Sequence, residues 1–409
     1  MKNVINVFLI SLLVLTARPL TADENVTWSI DADFPGGNMI LDSQTEDSVS
    51  FHSDRRDSGA NECTDRHWAV RVRNAQGKTI HFKINGDSKF GYLQERGPSV
   101  SRDGGATWQW LLDADAPVNP ADTFDYTFGP NEDDVRFAVV PMYTGQTIRL
   151  LVEEMQKKGC NIRCEVLCQS EKGREVELLR FGNPDNEKKV GVVFTSRSHC
   201  NETWGVWTLN GIIRECLSGS PEGNYLLDNA DFFVVPLMDK DGVEDGDQGK
   251  CRIPHDHNRD FEIERYASVR ALKKQVTEWG KGKRLIGCDF HGNSVGLRSN
   301  VVKGAEWACH PHFFIINDCN KEEEEKFSKM LFERQKGGFA GHPMKDAYNL
   351  IGPSWVVGWM ATAPDLDFVI CPVSESPSQS PDGKAQTIET AHELGANFAK
   401  ALADYIKTM

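Results

Sequence analysis

The sequence predicts a chain in two parts. An antiparallel β-sandwich comes first, followed by an α/β domain whose mixed, mostly parallel sheet is flanked by helices. Three observations carry this expectation. Period-two alternation dominates up to about residue 151, nearly continuous apolar runs then replace it, and helical spacing recurs between those runs. With 409 residues, 39% hydrophobic and 26% charged, the chain has apolar mass for more than one core, and its length suits two or three domains. The expected divisions are a leader at 1–22, a sandwich at 23–155 and an α/β domain at 156–409.

Met1-Lys2 opens onto the apolar run Val4–Leu15, which gives way to small and polar residues up to Ala22. A basic start, an apolar stretch of about a dozen residues and a small-residue exit read as a secretory signal peptide cut near Ala22. The run is too short to span a bilayer, and no later stretch approaches the roughly 18 apolar residues a span needs. The expected product is secreted or periplasmic, with no membrane span. Export permits disulfides, and the 11 cysteines are an odd number, which leaves at least one thiol unpaired. Cys160, Cys164 and Cys168 read as a local disulfide staple, because no fourth ligand stands at zinc-finger spacing.

Between Trp28 and Leu151, segments such as His67–Arg73, Thr79–Ile84 and Val135–Val140 alternate and are separated by Gly, Asn, Asp and Pro. Ser101-Arg102-Asp103-Gly104-Gly105-Ala106-Thr107-Trp108 matches the S-x-D-x-G-x-T-W turn repeated in sialidase propellers. A single copy reads as a hairpin, with Asp and Gly closing the turn and Trp packing beneath it. Thr147–Lys157 reads as a helix linking the two parts. Val176–Arg180, Lys189–Phe194 and Phe232–Leu237 are strand-like, and the last two are apolar enough to be covered on both faces. Helices are expected at Trp204–Leu217, Tyr266–Trp279, Glu322–Gln335 and Thr387–Lys407. Glu322 to Glu325 read as a solvated first helical turn. His392-Glu393 begins a His-Glu-x-x-His pattern that fails at Ala396, so His392 is expected on the helix surface.

The formal charge is −14 and no Lys/Arg block stands out, so nucleic acid and anionic membranes are disfavoured as partners. A local basic pocket could still take an anionic substrate. Oligomeric state is not written in these patterns.

His199-Cys200-Asn201-Glu202 lies between the strand ending near Phe194 and the helix starting at Trp204. That spacing on a compact turn lets an imidazole and a carboxylate point at one ion, and strand ends are where sites form in open α/β sheets. Leu285–Asn293 places His291 at the exit of another apolar strand. Two His and one Glu, with water, make an open zinc site, so one Zn2+ per chain is expected. Between these segments, Asn258 and Arg259 offer an amide and a guanidinium fork suited to a carboxylate. Asp256 is placed to orient a metal-bound imidazole.

Taken in order, with Met238-Asp239-Lys240-Asp241-Gly242 between them, these motifs resemble the zinc metallocarboxypeptidase (funnelin) family over about residues 170–405. Asp65–Asn74 and Val140-Pro141-Met142-Tyr143-Thr144 are similar to parts of the sandwich in its cytosolic-carboxypeptidase branch. The resemblance implies a carboxypeptidase-like sheet and a zinc ion held by His199, Glu202 and His291. It implies that Asn258 and Arg259 hold the C-terminal carboxylate of a peptide substrate. Glu375, in Phe368–Ser376, is the implied general base. Lys250 is the implied oxyanion partner, one residue short of the family spacing, with Arg252 and Arg298 as other candidates. Tyr348 is the implied substrate-capping phenol. Two motifs depart from the family: His199-Cys200-Asn201-Glu202-Thr203 stands for His-Pro-Gly-Glu-Thr, and His291-Gly292-Asn293 for His-Gly-His. The ligands survive in both.

The implied function is a secreted zinc carboxypeptidase acting on peptides with a free C-terminal carboxylate. Two other readings share the residues. A zinc amidoacylase of the aspartoacylase or desuccinylase type has His-x-x-Glu and a later His; the sandwich and Asn258-Arg259 favour the peptidase. An inactive binding protein would require a lost ligand or base, and none is lost. The side-chain pocket is expected between Ser354 and Thr362, where no Arg or Lys supports a preference for acidic C-terminal residues.

Overall fold

In the computed structural model, alternation in the first third of the chain becomes nine short strands among the described residues ahead of the helix at Gly145–Lys157. The structure describes residues 26–58, 67–86, 93, 96–113, 122–250, 252–292, 312–314, 321–335, 352–378 and 385–409. The leader-like segment, Asn293, Arg298 and Tyr348 lie outside these residues. The strands are β1 (Ser29–Asp31), β2 (Ile40–Gln44), β3 (Ser48–His52), β4 (Ala69–Arg73), β5 (Thr79–Asn85), β6 (Ser99–Ser101), β7 (Gln109–Trp110), β8 (Thr123–Thr127) and β9 (Asp134–Ala138). One sheet runs β1-β4-β9-β6-β7 and the other β2-β3-β5-β8. All pairs are antiparallel except β3 with β5. In β5, Ile80, Phe82 and Ile84 point inward while their neighbours face out. Phe82 stacks on Phe124 at 4.5 Å and meets Phe137 of the other sheet at 5.2 Å, which is the contact that makes two sheets a sandwich. The Asp-and-Gly motif is the hairpin expected of it: Asp103 accepts hydrogen bonds from the Thr107 amide and hydroxyl between β6 and β7, and Trp108 is buried.

The second part begins with α1 (Gly145–Lys157), β10 (Ile162–Gln169), β11 (Glu175–Gly182), β12 (Val190–Ser196), α2 (Thr203–Cys216), α3 (Pro221–Asn229), β13 (Ala230–Val235) and α4 (Lys240–Asp245). It continues with α5 (Ala267–Trp279), β14 (Arg284–Gly292), β15 (His312–Phe314), α6 (Lys321–Arg334), α7 (Val356–Thr362), β16 (Asp367–Ile370), β17 (Val373–Ser376) and α8 (Ile388–Thr408). The sheet order is β10-β11-β13-β12-β14-β17-β15, with β16 also on β14. The central pairs β13/β12, β12/β14, β14/β16 and β14/β17 are parallel. Every residue of β12 and β13 is buried, as strands covered on both faces must be. Val192 and Phe194 pack with α2 and α8, whereas Val193 and Phe233 pack with α5 and α7. One apolar cluster runs from Trp28 and Phe82 through Trp110 and Trp204 to Tyr405, so the sandwich and the α/β sheet share a continuous interior.

Three expectations are corrected. Cys160, Cys164 and Cys168 are free thiols; Cys164 and Cys168 lie on β10, where a rise of about 3.3 Å per residue sets them roughly 13 Å apart, beyond disulfide reach. Glu324 is not solvated: it is buried and accepts the Cys371 amide, while Glu323 accepts the Tyr405 hydroxyl. His392 is half-buried, its ring packed on Trp207 at 5.7 Å, and burial lowers its pKa to about 4. Among the described residues, no helix is long and apolar enough to cross a membrane.

Candidate active site

Strand order brings the candidate residues together. β12, β14 and β17 are neighbours, and their carboxyl ends carry the turn at 197–202, His291 and Glu375 respectively. His291 and Glu375 sit directly opposite each other in the β14/β17 register. After β12 the chain turns through Arg197 at φ +57° and enters α2 with Glu202 at the N-cap position. The Glu202 carboxylate makes no cap hydrogen bond and lies among imidazoles instead. Gly205, in the first turn of α2, allows this: a Cβ there would stand 2.6 Å from the Phe290 carbonyl and 2.7 Å from that of His291. Any side chain at 205 would push Glu202 away from β14.

The three predicted ligands converge. His199 Nδ1 is 3.1 Å from Glu202 Oε1 and His291 Nδ1 is 2.6 Å from Glu202 Oε2. Each residue offers a ligand atom within 4.8 Å of the others, and all three are buried. The outer imidazole nitrogens are held by carboxylates: His199 Nε2 lies 3.4 Å from Asp256, and His291 Nε2 lies 2.6 Å from Asp289. Asp256 thus occupies the orienting place expected of it. Asp289 was missed as a partner, although its signal was present: residues 289 and 291 are two apart on a strand and so share a face. Thr195 Oγ1 donates to Asp289 at 2.7 Å, fixing that carboxylate in turn. Two imidazoles with anchored outer nitrogens and one buried carboxylate form a donor set that fits zinc.

The electrostatics follow from this packing. Burial pushes the Glu202 carboxyl up, but Lys250, His199 and His291 outweigh it and hold the group well below the usual range. His291 moves the opposite way: burial would neutralise it, yet Asp289 and Glu202 keep its pKa well above 6.5. Burial raises Asp256 too, and the His199 hydrogen bond and charge bring it down to about 2. Burial, followed by the Glu202 charge, pushes half-buried Glu375 up to about 7.

Lys250 Nζ lies 2.7 Å from Glu202 Oε1, so its ammonium reaches the cluster despite the short spacing. Arg252, the other described candidate, instead pairs with Asp239 and Asp247 at 3.0 and 2.8 Å. Asn258 is buried with Nδ2 3.3 Å from His291 Nε2. Arg259 lies at the end of the same short turn, its guanidinium 3.7 Å from the centre of the Trp355 ring. The expected specificity window therefore starts beside Arg259, and its Val356, Val357, Trp359 and Met360 are buried in α7. A separate cavity of about 440 Å³ lies where sandwich and α/β sheet meet; its lining includes Arg56, Asp57, Asp247, Arg252 and His257 but none of the three ligands.

Residues 148–290 match the family described as zinc carboxypeptidase. Among curated proteins, the chain is 30% identical over 206 residues to cytosolic carboxypeptidase 2 of Xenopus tropicalis, covering 46% of this chain and 20% of that protein. It is 28% identical over 198 residues to cytosolic carboxypeptidase 2 of Mus musculus, covering 44% of this chain and 22% of that one. The match thus spans about a fifth of these relatives' length. Among solved structures, a metallo-carboxypeptidase from Burkholderia cenocepacia superposes with a TM-score of 0.71 at 16% identity, over 93% of this chain and 100% of that one. A metallo-carboxypeptidase from Pseudomonas aeruginosa, in complex with (2-guanidinoethylmercapto)succinic acid, gives 0.69 at 21% identity, over 92% and 100%. These two structures share the fold, sandwich included. The chain therefore carries a domain of the zinc carboxypeptidase family.

Proposed function

We propose that the protein is a zinc-dependent carboxypeptidase that removes C-terminal residues from peptides. The observation that carries this reading is the convergence of His199, Glu202 and His291 beside Glu375, with Asn258, the residue before Arg259, 3.3 Å from His291. His199 Nδ1, Glu202 and His291 Nδ1 are the atoms that would hold the ion. Bound zinc supplies Lewis acidity, polarising the scissile carbonyl and acidifying water. Asp256 and Asp289 keep the imidazole Nδ1 atoms turned inward. Glu375 takes a proton from the attacking water and returns one to the leaving amine, and its raised pKa suits both transfers. Lys250 stands where its ammonium can meet negative charge developing on the carbonyl oxygen. Arg259, with Asn258 beside it, binds the substrate's terminal carboxylate; Trp355 covers the guanidinium and lowers its hydration.

The test is hydrolysis of matched peptides with free and amidated C-termini by the zinc-loaded protein. Release of the last residue from the free acid alone is expected. Equal cleavage of both would remove the Arg259 anchor and favour an amidoacylase. Export forms a separate part of the proposal. It rests on the leader-like Val4–Leu15 run, whereas the matched relatives bear the name cytosolic. Amino-terminal sequencing of the protein from its producing cells is expected to begin near Ala22; retention of Met1 would overturn export.

A further inference from the structure

We propose that the N-terminal sandwich is part of the catalytic apparatus, with Asp57 acting as a positioning residue for Lys250. This inference rests on the carboxypeptidase reading above. Asp57 belongs to the segment that follows β3. Its two carboxylate oxygens accept the backbone amides of Gln248 and Gly249, each at 2.9 Å and each buried. The next residue is Lys250, whose ammonium meets Glu202 at 2.7 Å. A lysine ammonium is a compact charge on a flexible four-carbon stem, so its position depends on how firmly its own backbone is held. Here the sandwich does the holding.

The rest of the loop agrees. The Gln248 side chain accepts the His67 amide at 2.9 Å and donates to the His67 carbonyl at 2.9 Å and to the Asp54 carbonyl at 3.2 Å. Asn38 donates to the Gly246 carbonyl at 2.7 Å, and Arg56 pairs with Asp247 at 3.0 Å. The Ile253 amide donates to the Asp57 carbonyl at 2.8 Å, and Ser58 bridges Arg252. On its other side the loop presses against the ligand turn. Gly249 has φ +85°, and a Cβ there would lie 2.7 Å from Asn201 Oδ1 and 2.9 Å from the Cys200 amide. Cys200 Sγ donates to the Asp247 carbonyl at 3.3 Å. The loop is therefore clamped between the sandwich and the His199–Glu202 turn. A carboxylate that accepts two amides makes charge-assisted bonds, about twice as strong as neutral ones; Arg56 makes such a bond to Asp247, but Asp57 makes two, on the pair of residues that lead directly into Lys250.

The experiment is a double-mutant cycle on the zinc-loaded full chain: wild type, Asp57→Asn, Lys250→Met and the double variant, assayed on a free-acid peptide with zinc content measured in each. Lys250→Met is expected to lower kcat by about 10²-fold, and Asp57→Asn by roughly ten- to a hundredfold, with zinc content unchanged. The double variant should be no slower than Lys250→Met alone, because Asp57 acts through the lysine. Amide hydrogen exchange at Gln248 and Gly249, which needs neither metal nor substrate, should accelerate in Asp57→Asn. If Asp57→Asn slows the Lys250→Met enzyme by the same factor as it slows wild type, or if those amides exchange at the wild-type rate, the inference is overturned. Should Asp57→Asn fail to fold, Gln248→Met, which severs the bonds to His67, enters the same cycle with the same outcomes. A wild type that leaves every free C-terminus intact refutes the carboxypeptidase reading instead, so the two failures are distinguishable.

Discussion

The sandwich and the α/β sheet bury different chemistry. Inside the sandwich the packed side chains are Phe51, Trp68, Phe82, Phe124 and Phe137, with ring centres 4.5–6.5 Å apart. At the strand ends of the second sheet the buried groups are His199, Glu202, Asp289 and His291. An aromatic interior stabilises by removing apolar area from water. Buried imidazoles and carboxylates do the reverse unless each is partnered or holds a cation. The contrast shows where stability resides and where it has been given up for chemistry.

The largest expected effect falls on the sandwich. Phe82→Ala removes a wholly buried ring and should cost about 3–5 kcal/mol of unfolding free energy, read from urea denaturation, while zinc affinity of the folded fraction stays at the wild-type value. Parallel loss of metal would blur the distinction between the two regions. Asp289→Asn is the converse. It keeps the shape but weakens the hold on His291 Nε2, and should reduce zinc affinity about 10–100-fold, measured by competition with a chelator. Unchanged affinity would mean that Asp289 is only a core residue.

Much of the site was legible because its signals are local. His199-x-x-Glu202 sits on one turn, and His291 and Glu375 each end an apolar strand. What escaped depended on distance in sequence. Nothing near Asp57 announces that its carboxylate accepts amides from residues 248 and 249, and the sheet order that sets β14 between β12 and β17 is not written in any one strand. In the fold, strands and helices with clean periodicity were found within a few residues, whereas α3, α4 and α7 are too short to show a period. The misread elements share a cause. Glu324 and His392 look polar and therefore solvated, but each faces a helix or strand that only the assembled structure supplies. The cysteine staple failed because spacing was read without the extended backbone of β10.

The smallest effect concerns the joint between the two regions. His67 is buried, and burial lowers its pKa to about 4 from 6.5. A base with a depressed folded pKa binds fewer protons folded than unfolded between those values, so stability falls as pH drops from about 6.5 towards 4. At pH 5 the loss from His67 should be about 2 kcal/mol relative to pH 7. Urea midpoints at the two pH values, in wild type and in His67→Gln, check this: the variant should lose that share of the pH dependence. An identical pH dependence in both would show that His67 is not the buried neutral group described.

Two imidazoles and a carboxylate, drawn from separate strand ends, are placed to hold one ion. X-ray absorption at the zinc edge, on the zinc-loaded chain and on His291→Ala, reads this ligand set. The wild type should hold one zinc per chain with two nitrogen ligands at about 2.0–2.1 Å, and the variant should lose one of those nitrogens or the metal itself. A wild-type spectrum without imidazole scattering, or a variant spectrum identical to that of the wild type, would show that these residues do not hold the ion.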